Sequence, residues 1–311
     1  MTGTVLNWRQ CQERLVAALP SAVVGKVPWD RSESGAALRR RRWVVAGVSV
    51  VGAGLLGRSL STKPGSPQFY GLTLGVATTW IVGGLGSGPL HLGWGPHHDH
   101  TRRRPVITPV LTGVGAFAVC YVCALVARHV PVLDRAVSGV LQYARQGSGP
   151  FVLLTTLANG AAEEVFFRGA LYAAAGNYPV TLSTAGYSLA TTATRNPALV
   201  LASTAMGTLL GLQRRATGGI QAPILTHLTW SALMLHFLPP LFCDNLHHEQ
   251  LDPASTVAEG PFGSSGNDGG TQPPVAPGIP GFTCQSPFDS CARTATASPA
   301  RSSVVGWLLG R

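Results

Sequence analysis

The residues able to do chemistry are few and close together. Glu163 and Glu164 are adjacent, Arg168 follows four positions after Glu164, and the run from Asn159 to Tyr172 around them is otherwise small and apolar. No other acidic side chain occurs between Asp134 and Asp244. Ionisable groups set in sequence of membrane-grade apolarity are costly, so they mark a functional site by default. On a helix, Glu164 and Arg168 share a face, with the glutamate first, which is the favourable order. Arg168 then pairs with Glu164 and holds it in place. Glu163 points about 100° away round an α-helix and has no basic residue three or four positions on. It is therefore free to act as a general base on water.

A second polar group comes later. His227 lies in Ala222-Pro-Ile-Leu-Thr-His-Leu-Thr-Trp-Ser231, and Ser231 is one helical turn further on. Two hydrogen-bonding side chains on one helix face suit a developing oxyanion. The plainer alternative is a buried Glu164–Arg168 pair and a packed histidine that only fix helix contacts. That alternative leaves Glu163 without a partner.

These residues need apolar helices to carry them, and the chain supplies several. Apolar runs are expected to form helices at residues 43 to about 60, 69–86, 106–127, 149 to about 175, 180–194, 198–212 and 220 to about 241. Residues 106–127 carry no charge and are long enough to span a bilayer. Residues 128–145 place apolar side chains at helical spacing between charges (Val132, Leu133, Val137, Val140, Leu141), the pattern of an interfacial helix. Breaks fall at Asn177-Tyr-Pro179, Arg195-Asn-Pro197 and Gly218-Gly219. The fold class expected is all-α, a polytopic transmembrane helical bundle of about 7–8 spans with a disordered C-terminal tail.

Composition agrees. Of 311 residues, 45% are hydrophobic and only 12% charged, about half the charge of a soluble domain. Mean hydropathy is +0.22. The net charge of +10 sits in short clusters beside apolar runs, as topology signals do, which disfavours nucleic acid as a partner. The clusters Arg39–Arg42, Arg102–Arg104 and Arg214-Arg215 are expected in cytoplasmic loops, which puts the N-terminus in the cytoplasm of a multi-pass cell-membrane protein.

The expected layout is an N-terminal cytoplasmic segment over residues 1–42, N-terminal transmembrane helices over 43–148, a core over 149–241 and a tail over 242–311. The first segment includes a short amphipathic helix at residues 8–19 and no cleavable signal peptide. The tail is rich in Pro, Gly, Ser and Thr and almost empty of aliphatic runs; Cys284 and Cys291 could pair there in an oxidising setting. Cys120 and Cys123 read as small residues of an apolar helix. The histidine tracts His97-His98-Asp99-His100 and His247-His248 read as polar loop residues.

Glu163-Glu-Val-Phe-Phe-Arg168 resembles the Glu-Glu-x-x-x-Arg signature of the CAAX prenyl protease and bacteriocin-processing (CPBP, or Abi) family of intramembrane endopeptidases. The stretch from Leu209 through Thr217-Gly218 and Ala222-Pro223 to His227 is similar to that family's final block. The resemblance covers roughly residues 150–240. It implies a protease in which Glu163 activates water, Glu164 and Arg168 orient water and substrate, and His227 stabilises the oxyanion. No cofactor is implied, with a divalent metal as the variant mechanism.

The family's Phe-x-x-x-His motif corresponds to Tyr187-Ser-Leu-Ala-Thr191, and its closing His-x-x-x-Asn ends here in Ser231. Those departures keep a second reading alongside, a catalytically inactive relative serving as a membrane scaffold, binding or immunity protein. A transporter using the carboxylates as a proton relay is a third. The partners implied are membrane lipids and a membrane-associated peptide or protein, prenylated or leader-bearing as in bacteriocin processing; no oligomeric state follows from the sequence.

Overall fold

The computed structural model describes residues 34–93, 95–96, 102–103 and 106–242. The expected helix at residues 8–19, the tail and its cysteines, and both histidine tracts lie outside these residues.

Among the described residues the architecture is helical, apart from a two-residue antiparallel ladder that pairs Gly95 with Arg103 and Pro96 with Arg102. The helices are α1 (Gly35–Ser59), α2 (Pro67–Gly86), α3 (Ile107–Ala127), α4 (Pro131–Gln146) and α5 (Gly149–Glu163). A π-helical segment (Glu164–Leu171) and the short α6 (Tyr172–Ala174) continue α5 without a break. Then come α7 (Pro179–Thr192), α8 (Pro197–Thr217) and α9 (Gln221–Phe237), closed by a 3₁₀ turn at Pro239–Phe242.

Local chemistry sets these boundaries. Proline occupies the first turn of α2, α4, α5, α7 and α8, where its missing N–H goes unneeded. Ser66 caps α2 and Asn196 caps α8 through side-chain oxygens. Gly218, at φ 69°, ends α8 in the left-handed conformation.

The helices pack in neighbouring pairs, α1 on α2, α7 on α8 and α9 on α3, with α5 and the π segment between α2 and α9. Trp80 of α2 is fully buried, its ring 4.6 Å from Phe166 and 5.0 Å from Phe167. Gly52 lets α1 close over that indole, because a Cβ there would overlap the Trp80 ring. Thr226 of α9 donates to the Pro109 carbonyl of α3 at 2.8 Å, and Asn159 of α5 donates to the Thr73 carbonyl of α2 at 3.1 Å. These side-chain bonds fix the helices that carry the glutamates and His227.

Among the described residues, two helices, α2 and α3, are long and apolar enough to cross a membrane. The expected helix at residues 128–145 is present as α4, with Leu141 and Ala144 turned inward.

Two of the three arginine clusters depart from the loop reading. Arg39–Arg42 lie inside α1, and Arg214-Arg215 inside α8, which runs more than a turn beyond the expected end. Arg41 is 1% exposed and donates to Ser87 Oγ and the Pro89 carbonyl, both at 3.3 Å. Arg42 donates to the Ala174 carbonyl at 3.1 Å. The cause is local. Arginine is a good helix former, and nothing in either cluster stops a helix before Gly218 or starts one after Arg42. Two arginines counted as topology signals therefore brace the fold.

Candidate active site

The two glutamates sit where one helical geometry gives way to another. Glu163 is the last residue of α5 and Glu164 the first of the π segment. π-helical turns are rare and concentrate at functional sites, whereas the sequence alone suggests α-helix throughout. The paired side chains still meet: Arg168 Nη1 lies 3.0 Å from Glu164 Oε1, with both side chains fully buried.

Two other helices complete the cluster. From α9, His227 Nδ1 approaches the same Glu164 Oε1 at 2.8 Å. With Glu164 ionised, that nitrogen must be the donor. The ring's far side, Nε2, then faces Glu163 Oε2 at 3.9 Å. From α7, the Tyr187 hydroxyl donates to Glu163 Oε2 at 2.6 Å. The Arg168 guanidinium lies over the Tyr187 ring, 4.7 Å from its centre, a cation–π contact. Four charged or titratable side chains and a tyrosine thus converge from three stretches of chain.

The two carboxylates differ in access. Glu163 keeps 14% of its side chain exposed, whereas Glu164 keeps none. Glu164 is held by Arg168 and His227 through one oxygen, and among the described residues its Oε2 has no partner; nor do Arg168 Nε and Nη2. Buried polar atoms of this kind are commonly met by ordered water or by ligand atoms.

The remaining expected residues are placed differently. Thr191, one turn after Tyr187, is buried, and its hydroxyl donates to the Tyr187 carbonyl at 2.8 Å. That donor is engaged by its own helix. Ser231 is buried on α9 one turn beyond His227, on the face expected, with no hydrogen bond to the glutamates. Cys120 and Cys123 are free thiols on α3.

Sequence reasoning missed Arg214. It is 2% exposed, and its Nε donates to the backbone carbonyl of Arg168 at 2.9 Å, inside the π segment. Its guanidinium also lies over the Tyr172 ring at 5.0 Å. The available signal was Gly218, which marks the helix end three residues past Arg215 and so places both arginines within the last turn. The hydroxyl of Tyr187 was missed as well, since its position was read only as the aromatic of a motif. Among the described residues, no group of three or more His, Cys, Asp or Glu side chains is arranged to hold a metal ion.

A family model described as Type II CAAX prenyl endopeptidase Rce1-like matches residues 145–233. The matched stretch contains every residue of the cluster, from Glu163 to His227. No curated protein and no solved structure gives a significant match.

Proposed function

Residues 145–233 belong to the Rce1-like family, and from that premise we propose that the chain is an intramembrane endopeptidase that hydrolyses a peptide bond of a membrane-associated substrate. The observation that carries this reading is the meeting of Glu163 and Glu164 with His227, which stands 63 residues beyond Glu164 in the chain.

In this mechanism Glu163, the accessible carboxylate, takes a proton from water as the water oxygen bonds to the scissile carbonyl carbon. The carbonyl electrons move onto its oxygen. Glu163 Oε2 and His227 Nε2 are 3.9 Å apart, close enough for one water to touch both at about 2.8 Å. Glu164, fixed by Arg168, orients the imidazole. With both ring nitrogens protonated, Nε2–H is a donor for the oxyanion. The oxyanion's electron pair then returns to re-form the carbonyl as the C–N bond breaks, the bond's electrons leaving with nitrogen, which takes the water-derived proton from Glu163. Arg168 Nε and Nη2 are further donors for water or a substrate carbonyl. No metal step is required.

The substrate proposed is a prenylated or leader-bearing peptide presented at the membrane, bacteriocin processing being one setting. The chain is proposed to cross the cell membrane several times, with its N-terminus in the cytoplasm, helices of residues 43–148 preceding the protease core of residues 149–241. The apolar α2 and α3 support a membrane setting.

The test is cleavage of a prenylated peptide by the purified chain in lipid vesicles. Glu163→Gln is expected to lower kcat by about 10²–10⁴-fold, the usual contribution of a general base. Cleavage indifferent to this substitution would overturn the mechanism. One observation favours a second reading as a non-catalytic membrane scaffold: the Thr191 hydroxyl, bonded to the Tyr187 carbonyl, provides no second base. Efficient cleavage by the unmodified chain rejects that reading.

A further inference from the structure

Glu163 has a single hydrogen-bonding partner among the described residues, the hydroxyl of Tyr187 at 2.6 Å from Oε2. His227 Nε2, at 3.9 Å from the same oxygen, stands beyond hydrogen-bond reach. The last torsion of a glutamate is broad and roughly two-fold. Without an anchor, a carboxylate that is partly exposed turns and presents either oxygen in any direction. We propose that Tyr187 is the positioning residue of the site, its hydroxyl pinning the Glu163 carboxylate so that Oε2 faces His227 Nε2 and the two share one attacking water. The inference rests on the hydrolytic reading of Glu163 and adds to it the group that holds the base.

The tyrosine is itself held. Its ring lies under the Arg168 guanidinium at 4.7 Å and beside Phe167 at 4.8 Å, and its carbonyl accepts from Thr191 at 2.8 Å. Ring and backbone are therefore both held, which sets where the hydroxyl oxygen stands. A carboxylate oxygen accepts more than one hydrogen bond, so Oε2 can take the tyrosine proton and still face a water. Tyr187 keeps its proton throughout the reaction, since the water proton passes to Glu163 and then to the leaving nitrogen. The motif that this stretch resembles has phenylalanine at this position, which has no hydroxyl to give. The pin is a property of this chain, on the same helix turn where histidine is replaced by Thr191.

Tyr187→Phe removes the oxygen and leaves the ring contacts, so it separates the pin from packing. In vesicles, with a prenylated peptide as probe, kcat is expected to fall about 10–100-fold while KM stays within about twofold, the scale of one hydrogen bond to a charged group. In the Glu163→Gln background the same substitution should change nothing further, because both act through one carboxylate. A readout independent of turnover comes from infrared difference spectra. The Glu163 carboxyl bands, identified by their loss in Glu163→Gln, should shift in Tyr187→Phe with the thermal midpoint unchanged. A kcat within twofold of the unmodified chain, an additive effect in the Glu163→Gln background, or unmoved bands would each overturn the proposal. If the unmodified chain cleaves nothing while the bands do shift, the endopeptidase reading fails and the Tyr187–Glu163 pin stands.

Discussion

The α3 helix and the π segment distribute polarity in opposite ways. α3 has no charged residue and turns Leu111, Val119, Val122 and Val126 outward, Val119 being 65% exposed. The π segment turns Glu164 and Arg168 inward to complete burial. A protein surrounded by water places these residue types the other way round, and an outward apolar face of this extent marks contact with an apolar partner or bilayer. The contrast teaches what each element is for: α3 meets the surroundings, and the π segment keeps a polar site away from them.

Removing one side of the buried pair should disturb this contrast most. Arg168→Ala leaves Glu164 buried with a reduced set of donors, an expected loss of about 3–5 kcal/mol, measured as the unfolding midpoint in detergent micelles. Glu164→Gln with Arg168→Met, which removes both charges, should cost clearly less; equal losses would mean that packing rather than charge holds the segment. On the outer side, Val119→Arg should oppose membrane insertion by about 2.5–3.5 kcal/mol, read by glycosylation mapping of α3. Were that face turned to water, the same change would stay within about 0.5 kcal/mol.

The smallest effect sharpens the inner side. Arg214→Gln loses the bond to the Arg168 carbonyl, an expected cost of about 1.5–3 kcal/mol in thermal unfolding. Arg39→Gln, on the exposed part of α1, should stay within about 0.5 kcal/mol. Equal effects at the two positions would show that Arg214 does not brace the π segment.

Much of this organisation is legible in the chain itself because it is local. The helix of residues 106–127 follows from an uncharged apolar run, and the expected and observed limits differ by one residue. The pairing of Glu164 with Arg168 follows from spacing on one helix. Helix ends are less legible where arginine borders an apolar run. The same residue type serves as a loop charge or as a buried brace, as Arg41 shows by reaching Ser87 and Pro89. The π geometry at Glu164–Leu171 had no visible signal, since the run of apolar residues around Glu164 and Arg168 reads equally as α-helix.

The sequence by itself determined the helical class, the isolated carboxylate pair and the later histidine, since each depends on residue type and on periods of a few positions. Only the tertiary structure decided which partner each group keeps. Glu163, without a partner on its own helix, receives the hydroxyl of Tyr187 from 24 positions on, and Glu164 shares one oxygen between Arg168 and His227. Such meetings depend on how α5, α7 and α9 are packed and rotated against one another. Those rotations are set by contacts such as Thr226 with Pro109 and Trp80 with Phe166, which no spacing along the chain records.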